Sequence, residues 1–523
     1  MLNVIFYNPP EDKETKYYEY DVNGNLITTT ITERTYTIRE TACETLTSAK
    51  YLFAEPELIG SFTGSMVSLN DAEGMFSGSD IEFVTGKDGE PADFSSLTIA
   101  DFMFANCSKL TSINAKMPSL KHAEGIFDAC PALVSVKGDL SGLEDGAYMF
   151  DGCTLEEFDA PLTSLKDGEG MFASSKITGF KYNLPNLENG MKMFKGCAGF
   201  TEFSGTLTSL KLANEMFANT KITSFTAALP SLEDGTRMFY DCQQLASFTG
   251  SLASLRLAND MFAKTKITSL SINAPTLTNA DRMCQSCKQL ASVDGMLNAL
   301  YSGAHMFNDC DELISVNLYT PNLEIANSMF EASSKLTHFT GNLSKLRNGN
   351  GMFKSTLLHT CAPTNLNALQ TGREMFYANR FENWKMNLPE LTDGFQMFYS
   401  NITMKSFIGD MPKLTSAQNM FANCTQLREF RGDLSSITDA RGMFHACTLS
   451  ATSVFYIISS LPIREDNGYR RIAIGTNCAG GASFDLFAQE AGFEDGRDMH
   501  DFITNKGWEV DWQDSNGISF TVE

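Results

Sequence analysis

Residues that usually announce chemistry are scarce in this chain. Six histidines are spread over 523 residues. They stand at His122, His305, His338, His359, His445 and His500, with no HExxH or other ligand spacing, so no metal centre is expected. No GxSxG, P-loop or dinucleotide-binding glycine pattern lies between a strand and a helix. Carboxylates abound, but nothing singles out a catalytic pair, and no cofactor is implied. Tryptophan occurs three times, which leaves little for an aromatic glycan platform.

Basic residues are also in deficit, 40 Lys and Arg against 63 Asp and Glu, for a formal charge of −23. Such a surface repels phosphate backbones and anionic lipid, which argues against nucleic-acid partners and membrane attachment. No run of eighteen apolar residues is present, so no transmembrane helix is expected. The opening MLNVIFYNPPEDKE lacks the basic segment and apolar stretch of a secretory signal. On that reading the chain is made in the cytoplasm and reaches any exterior by another route.

What the chain has is repetition. LKLANEMFANTKITSF at 210–225 returns as LRLANDMFAKTKITSL at 255–270. The Phe of Met-Phe recurs throughout, and Leu52-Phe53, Ile126-Phe127 and Met283-Cys284 fill the slots that lack it. Eighteen slots run from Phe53 to Phe444, spaced by 22 or 23 residues except for a step of 28 between Phe76 and Phe104. The extra residues of that step fall in GKDGEPAD at 86–93. After Phe239 come Cys242, Leu245, Phe248, Gly250, Leu252, Leu255, Ala258 and Met261; after Phe194 the series repeats as Cys197, Phe200, Phe203, Gly205, Leu207, Leu210, Ala213 and Met216. One such unit cannot bury its apolar face alone, and stacking joins the units into a continuous core.

MFANCSKLTSI at 103–113, MFYDCQQLASF at 238–248 and MFANCTQLREF at 420–430 resemble the BspA-like leucine-rich repeats. The resemblance covers roughly residues 50–450 and implies an α/β-type repeat solenoid. Each rung would hold a short parallel strand and return through turns with brief helical or 3₁₀ segments. Similar arrays occur in surface adhesins of gut and oral bacteria and in phages of gut Bacteroidota. Three regions are expected: a β-rich cap or attachment segment at 1–45, the solenoid at 46–450, and a small α+β cap at 451–523. In the first, Asn23-Gly24 is a hairpin signal. In the last, SVFYIISSLP, SFDLFAQEAGF and GRDMHDFITNKG read as helices, and RRIAIG and WEVDWQ as strands. KGWEVDWQ also resembles the ends of similar repeat proteins from gut bacteria and phages.

Register explains several tempting motifs. Of thirteen cysteines, nine lie three residues after the Phe slot, as expected for small buried apolar residues in an inward ladder. Cys284-Gln-Ser-Cys287 looks like a redox pair, yet both cysteines occupy repeat positions. In Arg431-Gly432-Asp433 the glycine is the repeat glycine. Trp384, the only tryptophan within the repeats, falls at an inward position.

The remaining candidate is the outward strand face. There Ser112, Ser135, Ser224, Ser247, Ser269, Ser292 and Ser315 form a ladder suited to hydrogen-bonding an extended glycan or peptide. The chain is therefore expected to be non-enzymatic: a phage virion component of tail- or head-fibre type that meets the host surface. Its partners would be a host glycan or protein, or other virion proteins, with oligomerisation through the terminal segments. The alternatives are a bacterial surface adhesin, and a polymer-modifying enzyme using residues 451–523, where His500 and Cys478 are the candidates.

Overall fold

The structure is a computed structural model that describes residues 2–7, 16–20, 37–41, 46–54, 60–359, 365–463, 470–478, 482–514 and 516–522. The Asn23-Gly24 turn lies outside them. Two compact units divide the chain, Met1–Leu255 and Arg256–Glu523.

In the first unit, β1 (Leu2–Tyr7) pairs antiparallel with both β2 (Lys16–Tyr20) and β3 (Thr37–Thr41). β3 then pairs in parallel with β4 (Ser61–Thr63), the first strand of the repeats. Parallel pairing continues through the strands at Phe83–Thr85, Ser112–Lys116, Ser135–Asp139 and Glu157–Asp159. A second line of parallel bridges, from Ser48 to Asp234, ties the same rungs together elsewhere.

The core follows from the register. Phe194, Phe217 and Phe239 are fully buried, and their rings stack on one another at 5.4 and 5.5 Å. Strand residues Phe180, Phe203, Phe225 and Phe248 form a second column, spaced 5.8–6.1 Å. The two columns meet edge to face, as at Phe217 and Phe225. Offset stacking within a column and edge contacts between columns are both favourable quadrupole arrangements.

Met216 and Phe217 are consecutive and both buried, whereas a strand with one face in solvent would send alternate side chains outward. Left-handed residues on either side solve this. Glu215 has φ 56° and Asn219 has φ 60°, so the chain turns sharply before and after the Met-Phe pair. The same positions two before and two after the Phe slot are left-handed in rung after rung, including Lys192 with Gly196 and Arg237 with Asp241. The returns are consequently turns. The helical stretch described within the repeats is the 3₁₀ turn Lys87–Gly89, inside the long 86–93 segment.

The second unit repeats this construction. Its Phe column runs from Phe307 to Phe444 at 5.3–5.6 Å per step, with bridges from Leu257 to Asp439. Its widest repeat sheet joins Ser269–Asn273, Ser292–Met296, Ser315–Tyr319 and His338–Gly341 in parallel. Trp384 is buried and stacks 6.3 Å from Phe407.

At its end, the strands Ala440–Leu449, Arg471–Thr476 and Glu509–Gln513 form a parallel sheet. It is accompanied by α1 (Ala451–Ser460), α2 (Ala482–Glu490) and α3 (Gly496–Thr504). Ser450 caps α1 by accepting from the Ser453 backbone. Ser453 Oγ accepts from Phe430 N at 3.0 Å and donates to Arg428 O at 2.8 Å. It thereby occupies backbone groups that a further rung would otherwise meet. Lys506 Nζ donates to the carbonyls of Ile458, Ser459 and Leu461 at 2.8–3.1 Å, which satisfies the exposed end of α1 and opposes its dipole.

Candidate functional site

All seven serines begin strands. In the first unit Ser112 pairs with Ser135, and Ser224 with Ser247. The row between those pairs is broken, because Glu157 follows Ser135 in register and Gly179 pairs with Glu202 at the corresponding position. Ser135 Oγ already donates to Glu157 Oε2 at 3.0 Å, and Lys137 pairs with the same carboxylate at 2.9 Å. The ladder here is two short segments separated by charge.

In the second unit Ser269, Ser292 and Ser315 are consecutive in register. Next along the outward face come Ser271, Asp294 and Asn317, with Ser271 Oγ donating to Asp294 Oδ2 at 3.0 Å. Beyond them stand Asn273, Met296 and Tyr319, and Met296 and Tyr319 are 50% and 52% exposed. Sequence reasoning missed this apolar pair. Its signal was a departure at one slot: Thr206 and Ser251 are polar where Met296 and Tyr319 stand.

The cysteine ladder does more than fill space. Cys130 Sγ donates to Phe104 O at 2.9 Å, Cys242 to Phe217 O at 3.0 Å and Cys424 to Phe398 O at 3.1 Å. Each bond reaches from one rung to the preceding one. Units without cysteine place another hydrogen-bonding side chain in the slot. Ser333 Oγ donates to Phe307 O at 2.8 Å, and the Asn379 and Asn401 amides donate to Phe353 O and Phe376 O, each at 2.7 Å. Thr220, Thr265 and Thr356 bond the Phe carbonyl of their own rung. The slot therefore selects a small hydrogen-bonding side chain, which corrects the reading of it as merely small and apolar. Burial pushes the Cys242 thiol up to about 11 and that of Cys424 up to about 12. A protonated thiol is the donor this geometry uses, and the thiolate nucleophile is disfavoured.

Cys284 and Cys287 are both buried with free thiols, and Cys287 Sγ donates to Phe262 O at 3.0 Å. Arg431 ends the strand Glu429–Arg431. It pairs with Glu429 at 3.2 Å and lies 5.4 Å from the Tyr456 ring centroid. Asp433 Oδ1 accepts from Ser435 N at 2.8 Å. The tripeptide is thus engaged locally, along one wall of a cavity of about 400 Å³. In the terminal sheet, Cys478 Sγ donates to Thr476 Oγ1 at 3.2 Å, while His500 Nδ1 accepts from Trp512 Nε1 at 3.2 Å. Among the described residues no hydrogen bond joins Cys478 to His500. Nor do three His, Cys, Asp or Glu side chains converge there as metal ligands.

The BspA type leucine rich repeat region family matches this chain in six copies, over residues 93–201, 123–232 and 210–337. Residues 93–337 are a BspA-type leucine-rich repeat region. No curated protein matches the chain. Among solved structures, a leucine-rich repeat protein from Bacteroides ovatus is 16% identical, with 97% of this chain and 100% of that one covered and a TM-score of 0.38. One from Eubacterium ventriosum is also 16% identical, covering 55% and 80%, with a TM-score of 0.33. A leucine-rich cell surface protein from Faecalibacterium prausnitzii is 12% identical, covering 82% and 94%, at 0.22. No described helix of this chain is long and apolar enough to cross a membrane.

Proposed function

We propose that this chain is a non-enzymatic recognition protein whose outward strand face in the second unit takes an extended partner from a cell surface. The observation that carries the reading is the adjacency of Met296 and Tyr319, paired in register and each about half exposed. The Ser269, Ser292 and Ser315 row lies on the same face. Exposed apolar side chains rimmed by hydroxyl, amide and carboxylate groups are the anatomy of an interface. A parallel sheet fixes their backbone, so binding them costs little ordering entropy. The acidic composition favours a glycan or protein partner over nucleic acid or membrane.

The proposed setting is a phage virion, as a tail- or head-fibre component, because the repeats resemble arrays carried by phages of gut Bacteroidota. The terminal regions, 1–45 and 451–523, serve in this proposal as caps or attachment segments for the array at 46–450. The BspA type of the repeats equally suits a bacterial surface adhesin, the second reading. Mass spectrometry of purified virions separates the two. A virion component appears in stoichiometric amount, and an adhesin appears instead among proteins shaved from intact bacteria. Recognition itself is tested on arrays of host-surface polysaccharides and proteins, where silence across both would overturn it.

A further inference from the structure

The first unit carries a second surface that the strand-face reading does not use. Two residues before the Phe slot, every rung has a left-handed residue at a turn, and where it is not glycine its side chain lies outside the core. Along much of the array the slot is charged, as at Lys192, Glu215 and Arg237. The slot is therefore ordinarily a polar surface position, with Glu215 paired to Lys195 and Arg237, and the core makes no demand for an apolar group there. Yet the first six rungs read Tyr51, Gly74, Phe102, Gly125, Tyr148 and Gly170, all with φ between 50° and 60°.

Aromatic and glycine alternate because the rings lie across the glycines. A Cβ on Gly74 would meet the Tyr51 ring at 2.2 Å, one on Gly125 the Phe102 ring at 2.6 Å, and one on Gly170 the Tyr148 ring at 2.7 Å. The glycines serve both the positive φ and the space beneath the ring. The rings nonetheless remain 55%, 39% and 46% exposed at Tyr51, Phe102 and Tyr148. The Tyr51 hydroxyl donates to Glu73 at 3.0 Å, and that of Tyr148 donates to Glu169, which fixes both rings. With rungs about 4.8 Å apart, rings on alternate rungs are spaced by roughly 10 Å, about the length of two extended β-linked sugar rings.

A cavity of about 490 Å³ opens on this surface, with Gly125 and Tyr148 in its lining. His122 and Asp145, bridged on adjacent rungs, also line it, as do Asp101, Glu124, Asp128 and Asp151. Among the described lining residues there is no lysine or arginine. Asp101 and Asp145 are oriented by backbone donors, Glu124 N at 3.0 Å and Ala147 N at 3.1 Å.

We infer that this face binds an extended β-linked glycan free of acidic groups. Sugar rings would stack on Phe102 and Tyr148 through their C–H faces, while carboxylates and His122 take up hydroxyl hydrogens. Five carboxylates repel uronates, sulfates and phosphates. An amine-bearing sugar gains from the same field and should show stronger salt dependence.

The test is calorimetry of the full chain with three hexasaccharides: a neutral β-1,4-glucan, its amine-bearing glucosamine counterpart, and an oligogalacturonate. The first two are expected to bind, the second more tightly at low salt, and the third to stay silent. Phe102→Asn and Tyr148→Asn suit the left-handed slot. Each should weaken binding about tenfold while the variant stays folded by circular dichroism. Silence of both non-acidic probes, binding of the oligogalacturonate, or indifference to both substitutions would overturn the inference. Because Met296 and Tyr319 lie in the other unit, their loss should leave this binding intact, so either site can fail alone.

Discussion

The Ser333 hydroxyl donates to the carbonyl oxygen of Phe307 at 2.8 Å, reaching back one rung, and accepts from Cys310 N at 3.2 Å. Ser333 is fully buried, so one small side chain satisfies both an acceptor and a donor of the preceding rung's turn at 307–310. Ser333→Ala would strand the Cys310 N–H and is expected to cost about 1–3 kcal/mol. Urea unfolding would show this as a lower midpoint for the transition involving the second unit, and an unchanged midpoint would contradict it.

Phe217 lies between Phe194 and Phe239 in the ring column and is fully buried. Phe217→Ala should cost about 3–5 kcal/mol, because neighbouring rings cannot collapse into the gap without leaving their own register. Thermal unfolding with a probe in the first unit is the appropriate measurement.

Glu144 pairs with Lys121 at 3.1 Å and Lys166 at 2.6 Å. Hydrogen bonds from Lys166 and then Lys121 hold its carboxyl down at about 2, against an ordinary 4.5. A depressed folded value stabilises the native state above the ordinary value and loses that effect as pH falls through the folded one. The midpoint difference between the native chain and Glu144→Gln should therefore be constant near neutrality and shrink between pH 4.5 and about 2. A difference that grows in acid would contradict the assignment.

Cys242 and Cys424 are buried, and their thiols are held protonated. Iodoacetamide followed by peptide mapping should leave both unlabelled in the native chain and label both after denaturation. Native-state labelling comparable to that of an unfolded control would contradict the donor ladder.

Much of this was legible because the sequence repeats. Phe217 and Phe239 announce their stacking by spacing alone, since identical side chains one unit apart must meet in a parallel array. The donor slot was half legible. Cysteine suggested a small inward residue, but its exchange for Ser333, Thr220 and Asn401 is what reveals the hydrogen bond. The serine face was read too evenly, because Glu157, Gly179 and Glu202 interrupt it and only strand pairing shows which serines adjoin. Tyr51, Phe102 and Tyr148 were hidden for another reason. Their exposure depends on left-handed turns, and residue type alone does not disclose a turn's handedness outside glycine.

Recognition is proposed to run through the strand face of the second unit. Its most direct test compares the native chain with the double substitution Met296→Asp, Tyr319→Asp for binding to intact cells that carry the partner. Both positions are half exposed, so folding should be preserved, as checked by circular dichroism and melting. Cell binding is expected to fall to background with folding unchanged. Undiminished binding by the folded double variant would contradict it.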